Sequence, residues 1–190
     1  MRKTNALLIY ILLVTIISCN KNYSPKPRGY FRIDFPEKEY RLYDSVCPFN
    51  FEFPVYTKVI PDKSYGSEPC WINIYYPQFD AKIHISYKSV EHNLGKILED
   101  TYTLAYKHVS KADAIEDIPV IKPENNVFGL LYNIKGNAAS SKQFYLTDSV
   151  HHYLRGALYF NVAPNKDSLA PVIDFIGKDI DHLINTFTWK

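Results

Sequence analysis

Residues 127–162 read VFGLLYNIKGNAASSKQFYLTDSVHHYLRGALYFNV, and this stretch decides the fold. It contains three segments rich in β-branched and aromatic residues, separated by residue pairs that favour tight turns. The segments are 127–135, 140–147 and 151–162, and the turns are Gly136-Asn137 and Asp148-Ser149. This pattern predicts a three-strand antiparallel meander.

Two amphipathic helices are predicted on either side of the meander. From Leu169 to Phe187, apolar residues recur every three or four positions, which is the spacing of one buried helix face. Asp167 or Ser168 is expected to cap the start of this helix. The same spacing predicts a middle helix over about residues 91–112.

Further strands are predicted before the middle helix. Residues 49–53 alternate, 71–76 are β-rich, and in 82–88 the residues Ile83, Ile85 and Tyr87 share one face. The opposite face of 82–88 is polar and faces water or a partner. Residues 60–69 and 117–126 contain prolines and are predicted to be loops. The fold class is therefore α+β: an antiparallel sheet, including the C-terminal three-strand meander, packed by a middle helix and a long C-terminal helix.

The N-terminus predicts export and lipid attachment. Arg2 and Lys3 precede a 12-residue apolar run over 6–17, which is typical of a secretory signal and too short for a permanent anchor. The run ends in Ile16-Ile17-Ser18-Cys19, which resembles a bacterial lipobox. We expect a signal peptide over 1–18, a lipidated Cys19 with a tether over 19–30, and a single domain over 31–190. The alternative is an ordinary signal peptide followed by a chance cysteine.

The charge balance argues against a nucleic-acid partner. The chain has 22 Lys and Arg and 20 Asp and Glu, and removal of Arg2 and Lys3 leaves equal numbers. Such a chain lacks the basic excess that attracts nucleic acid. Metal binding is not expected either, because His151 and His152 are adjacent on a strand and point to opposite faces. No cofactor is expected.

Cys47 and Cys70 are the cysteines that remain beside Cys19. In an exported protein, such a pair is a disulfide candidate, which would stabilise the fold by about 3 kcal/mol in the chain-entropy model. Two buried free thiols are the alternative.

Three serines lie in Asp-Ser-aliphatic sequences that resemble an O-glycosylation sequon of exported bacterial proteins: Ser45, Ser149 and Ser168. Since Asp-Ser pairs also suit turns and helix caps, both interpretations stay open. None of the common signatures of hydrolases, nucleotide-binding proteins or zinc enzymes is present, and no catalytic residue is predicted.

Aromatic residues concentrate near the tether. Tyrosine combines a large apolar area with a polar tip, which suits it to protein interfaces as well as to cores. We therefore predict either a partner surface or a part of the core at Tyr30, Phe31, Phe35, Tyr40 and Tyr43.

Long segments of the chain resemble the gliding motility lipoprotein GldD family of Bacteroidetes. They are 25–36 (PKPRGYFRIDFP), 68–74 (EPCWINI), 142–149 (KQFYLTDS) and 152–161 (HYLRGALYFN). The resemblance implies an envelope lipoprotein needed for gliding and for type IX secretion. It also implies that Cys19 is the lipidated residue and that Cys47 and Cys70 are the family's two further cysteines.

These features predict a non-catalytic lipoprotein that contacts the membrane through its lipid and other gliding and secretion components through its domain, on the periplasmic side. The alternative is a periplasmic ligand-binding protein or a cell-wall-acting enzyme. It predicts a pocket lined by His84, Tyr153, Arg155 or Tyr159. At the level of fold, the meander followed by a terminal helix is similar to the Mog1/PsbP-like α-β-α sandwich.

Overall fold

Two antiparallel sheets and two helices build the domain. The computed structural model describes Gly29 and residues 32–190, of which 34–190 form one compact unit. One sheet has seven strands and the other has three. The predicted α+β class is confirmed.

The bounds of the elements follow the chain. The strands of the small sheet are β1 (Tyr40–Tyr43), β2 (Phe49–Pro54) and β10 (Thr188–Trp189). Those of the large sheet are β3 (Lys58–Pro61), β4 (Ile72–Tyr76), β5 (Ala81–Ser89), β6 (Ala112–Lys122), β7 (Val127–Gly136), β8 (Ser140–Thr147) and β9 (His152–Phe160). The helices are α1 (Leu94–Tyr106) and α2 (Lys166–Thr186), and Pro123–Asn125 form a short 3₁₀ turn. The strand order is β3-β4-β5-β9-β8-β7-β6 in the large sheet and β1-β2-β10 in the small sheet.

The predicted meander is present as β7, β8 and β9, and it has a fourth strand. β6 covers most of the segment that was predicted to be a loop over 117–126. Pro119 is tolerated there because β6 is an edge strand, which needs hydrogen bonds on one side only. β3 likewise reaches Pro61, inside the predicted loop over 60–69.

Helix α2 lies on the face of the large sheet that carries Ile83, Ile85, Leu154 and Leu158, all of which are buried. Gly177 of α2 faces β8, since a Cβ there would lie 2.6 Å from the flexible end of the Lys142 side chain. The helix begins after Asn165, whose side chain accepts the N–H of Ser168 at 3.2 Å. The cap is thus Asn165, and the prediction of Asp167 or Ser168 was wrong.

Helix α1 packs on the opposite face of the large sheet. Ala105 joins a small apolar cluster with Tyr132 and Ile134 of β7. The helix is shorter than the predicted range of about 91–112, since it ends at Tyr106. The chain turns after this residue, and Val109 is 56% exposed. The apolar cluster packs the C-terminal part of α1 against β6–β8, and part of the same sheet face stays open beside β5 and β9.

Candidate functional site

A pocket lies where α1 stops covering the sheet. The predicted polar face of β5 forms part of its floor: Ser86 pairs with Arg155 of β9, and His84 pairs with Ala157. The pocket has a volume of about 450 Å³, within the range of about 300–1,000 Å³ that is usual for ligand sites. It is lined by Asp62, Trp71, His84, Ile85, Ser86, Lys88, Ile97, Asp100, Thr101, Leu104, Tyr153, Arg155 and Tyr159.

The pocket contains all four residues named for the ligand-binding alternative: His84, Tyr153, Arg155 and Tyr159. Their alternation along β5 and β9 made this grouping predictable. Asp62, Trp71 and Asp100 were not predicted, because they come from a loop and from α1, and only tertiary packing brings them to the sheet.

Arg155 is the central cation of the pocket. Its Nη2 donates to Oε1 of Gln143 at 2.5 Å, while its buried Nε has no hydrogen-bond partner among the described residues. Within 32–190, no carboxylate forms an ion pair with Arg155. Burial lowers the pKa of His84, Asp62 opposes this shift, and Lys82 and Arg155 add smaller contributions in the direction of burial.

Hydrogen bonds hold two walls of the pocket. The hydroxyl groups of Thr101 and Tyr153 bond to each other, linking α1 to β9. Burial raises the pKa of the Tyr153 phenol to about 12, so the phenol stays protonated at neutral pH. On the other wall, Trp71 Nε1 donates to the Tyr87 carbonyl at 2.9 Å. These contacts fix the pocket's shape.

The predicted partner surface near the tether is only partly described. Tyr30 and Phe31 lie outside the described residues, as does Cys19. Tyr40 stacks on His182 at 3.6 Å between ring centroids, and Tyr43 stacks on Phe51 at 4.9 Å. Phe35 stacks on Phe175 but stays 38% exposed. The structure thus uses these three rings in contacts within the domain.

Cys47 and Cys70 are joined by a disulfide, with their Cα atoms 5.6 Å apart. Cys47 is buried in the connection just before β2, and Cys70 precedes β4 with a φ of 66°. The bridge therefore connects the small sheet to the large one.

The three sequon serines differ in accessibility. Ser149 and Ser168 are exposed, whereas Ser45 is half-buried and its Oγ accepts the N–H of Cys47 at 3.1 Å. Asp148 caps the turn before β9, since its Oδ1 accepts the N–H groups of Val150, His151 and His152. Turn formation is thus a role that Asp148 has in the structure.

His151 and His152 do not form a shared metal-binding cluster. The ring centroids of His151 and His152 are 6.2 Å apart, and His152 bonds to the Tyr87 hydroxyl at 2.8 Å. The described part of the chain contains no group of three or more potential metal ligands. In the same residues, neither helix has both the length and the apolar composition needed to cross a bilayer.

Comparison with known proteins supplies the family. Cyanobacterial PsbP (CyanoP) from Synechocystis sp. PCC 6803, known from a solution structure, is similar with a TM-score of 0.49 and 10% identity, over 88% of this chain and 100% of that one. No curated protein sequence matches the chain. The family model described as gliding motility lipoprotein GldD matches residues 20–189, which confirms the resemblance found in the sequence. The chain therefore belongs to the GldD family of gliding motility lipoproteins, which are membrane-anchored proteins of the cell envelope.

Proposed function

We propose that this lipoprotein supports gliding motility and type IX secretion through protein–protein contacts, without catalysis, from the periplasmic side of the membrane. The observation that carries the proposal is where the family match begins. It starts at residue 20, directly after Cys19, and runs to residue 189. All of the chain that cleavage before Cys19 would leave, apart from Cys19 itself and Lys190, is thus matched by a lipoprotein family.

The fold offers an accessible edge for partner contacts. β6 pairs with β7 on one side and is the last strand of the large sheet. Ile118 and Ile121 of this strand are 38% and 70% exposed. Unpaired edge strands are common places for another chain to add a strand. This edge supports a contact role better than Tyr40 and Tyr43, whose rings pack within the domain.

Substitution of the lipidated cysteine tests the proposal. Cys19→Ala should abolish incorporation of labelled palmitate, release the protein from the membrane fraction and reduce type IX secretion. One diacylglyceryl group with a further acyl chain holds a protein stably at a bilayer, and an unmodified domain has no such anchor. The matched control is Ser18→Ala, which keeps a small residue before the cysteine and should preserve labelling and secretion.

Two results would contradict the proposal. The first is palmitate labelling that persists in Cys19→Ala. The second is secretion and gliding at the normal level in cells whose Cys19→Ala protein is fully soluble.

A further inference from the structure

We propose that the pocket between α1 and strands β5 and β9 binds a small monoanionic ligand that carries a carboxylate next to an apolar group. A peptide C-terminus and a free organic acid both have this chemistry. The inference goes beyond the proposed contact role, because the pocket and the β6 edge are formed by different residues.

The first argument is the state of Arg155. A guanidinium has five N–H donors, and the described residues give Arg155 one hydrogen bond, to the neutral amide of Gln143. The side chain is half-buried, lines the cavity and has no ion-pair partner within residues 32–190. Partly buried cations are costly unless they are paired, and a guanidinium fork matches a carboxylate. An anionic ligand would supply the missing partner.

The second argument is the charge around Arg155, which favours a monoanion over a phosphate. The second lysine or arginine of the lining, Lys88, already lies 3.3 Å from Glu68. The hydrogen bond from the Ser64 backbone lowers the pKa of Asp62, which therefore stays charged. Asp62 and Asp100 repel any anion at this pocket, and they repel a doubly charged group about twice as strongly as a singly charged one. One unpaired guanidinium thus calls for one negative charge.

The third argument is the apolar wall. Ile97 and Leu104 of α1 face the pocket together with the indole of Trp71. Trp71 is held in place through Nε1, so this surface exists before a ligand arrives. Preformed apolar surface beside a fixed charge selects ligands that combine both features.

The test measures binding to the full lipidated protein in nanodiscs of zwitterionic lipid, followed by calorimetry and by tryptophan fluorescence. The probes are N-acetyl-Ala-Leu-Phe with a free carboxylate, the same peptide as its C-terminal amide, and 3-phenylpropanoate. We expect the carboxylates to bind and the amide to bind about 10- to 100-fold more weakly, since a charged hydrogen bond contributes about 1.5–3 kcal/mol. Tighter binding of the peptide acid than of 3-phenylpropanoate would identify a peptide terminus as the source, and equal binding a free acid.

Variants locate the binding. Arg155→Gln should weaken carboxylate binding by about 10- to 100-fold, whereas Lys58→Gln, which removes an exposed charge from β3 outside the pocket, should not. Leu104→Glu provides a second route if Arg155→Gln fails to fold. Leu104 is 39% exposed, so the new carboxylate is tolerated on α1 and competes for Arg155. Tyr102→Glu, at a 52% exposed position of α1 outside the pocket, is its control.

The proposal is overturned if neither carboxylate binds at concentrations up to about 1 mM, an affinity of about −4 kcal/mol. It is also overturned if acid and amide bind equally, or if Lys58→Gln reduces binding as much as Arg155→Gln does. None of these results bears on the membrane tether, which the Cys19 experiment tests separately.

Discussion

The ammonium of Lys38 lies 2.6 Å from the carboxylate of Asp179, which is 1% exposed in the middle of α2. The same carboxylate accepts hydrogen bonds from the hydroxyls of Tyr40, at 2.9 Å, and Tyr56, at 2.8 Å. Burial, reinforced by Asp179, raises the pKa of both phenols, so they remain protonated donors. The buried carboxylate of Asp179 thus links the C-terminal helix to the start of the domain, through Lys38 and Tyr40, and to the β2–β3 connection, through Tyr56.

Asp179→Ala should lower the free energy of unfolding by about 3–5 kcal/mol, because it leaves a lysine and two tyrosines without their shared partner. Lys38→Met added to Asp179→Ala should recover part of this loss, since the unpaired charge is then gone. Asp174→Ala, at an exposed position of α2, should change stability by less than about 0.5 kcal/mol. Urea unfolding of the four proteins provides the values. A loss below about 1 kcal/mol for Asp179→Ala would show that the network contributes little.

Alternation predicted β5, which has one buried face, and β-rich segments between turn pairs predicted β7, β8 and β9, which are buried on both faces. The pattern could not predict β6, where Pro119 is acceptable only because the strand lies at an edge. It also extended α1 beyond Tyr106, since the spacing continues to Val109, whose side chain is 56% exposed. Position in the sheet decided both cases, and a single sequence does not contain that information.

The sequence predicted the residues of the candidate site that lie on the sheet strands, but not those that come from a loop or from α1. His84 and Arg155 were named because alternating strands place them on a polar face. Trp71 reaches the pocket through a short loop after the Cys70 disulfide, and Asp100 reaches it through the packing of α1. Such placements depend on contacts between elements. The network around Asp179 was missed for the same reason, since Lys38 and Asp179 are 141 residues apart.

The disulfide is expected to contribute to stability through the unfolded chain. Removing it with Cys47→Ala and Cys70→Ala together should lower the free energy of unfolding by about 3 kcal/mol, because the unfolded ensemble loses its crosslink. The reductant dithiothreitol should produce a similar loss in the unaltered protein and no loss in the double variant. Mass spectrometry of the alkylated protein provides the direct check. Two alkylated thiols at positions 47 and 70 without prior reduction would show that the cysteines are free.

Asp148 is expected to make the folding stability of the protein depend on pH in the acidic range. Burial by itself would raise the pKa of this carboxyl, but the N–H groups of residues 150–152 outweigh burial and lower it below its ordinary value. A lowered pKa stabilises the fold above the unfolded value of about 4, and this contribution disappears as the pH falls through the folded value. Asp148→Asn keeps a hydrogen-bond acceptor and loses the charge. It should lower the free energy of unfolding by about 1 kcal/mol at pH 7, and by progressively less as the pH falls below about 4.

The control for acid dependence is Thr147→Val in the same turn. The Thr147 hydroxyl donates to the His152 carbonyl at 2.6 Å and does not titrate in this range. Its loss should therefore destabilise the protein equally at neutral and acidic pH. Denaturant unfolding across a pH series measures both variants. A deficit for Asp148→Asn that is constant with pH would exclude the charge as its origin.

Gly156 is the position in β9 where an added methyl group should be most harmful. A Cβ there would lie 2.2 Å from the ring of Phe144, which is fully buried on the neighbouring strand. Gly156→Ala should lower the free energy of unfolding by about 1–3 kcal/mol through overpacking. Gly95→Ala, on α1 where an added Cβ would meet no tertiary neighbour within 4 Å among the described residues, should instead raise the free energy of unfolding by up to about 1 kcal/mol. Adding Phe144→Leu to Gly156→Ala makes room for the methyl group, so the double variant should lose less than the sum of the two single losses. Additive losses would mean that contact with the ring of Phe144 is not the reason why Gly156→Ala destabilises the protein.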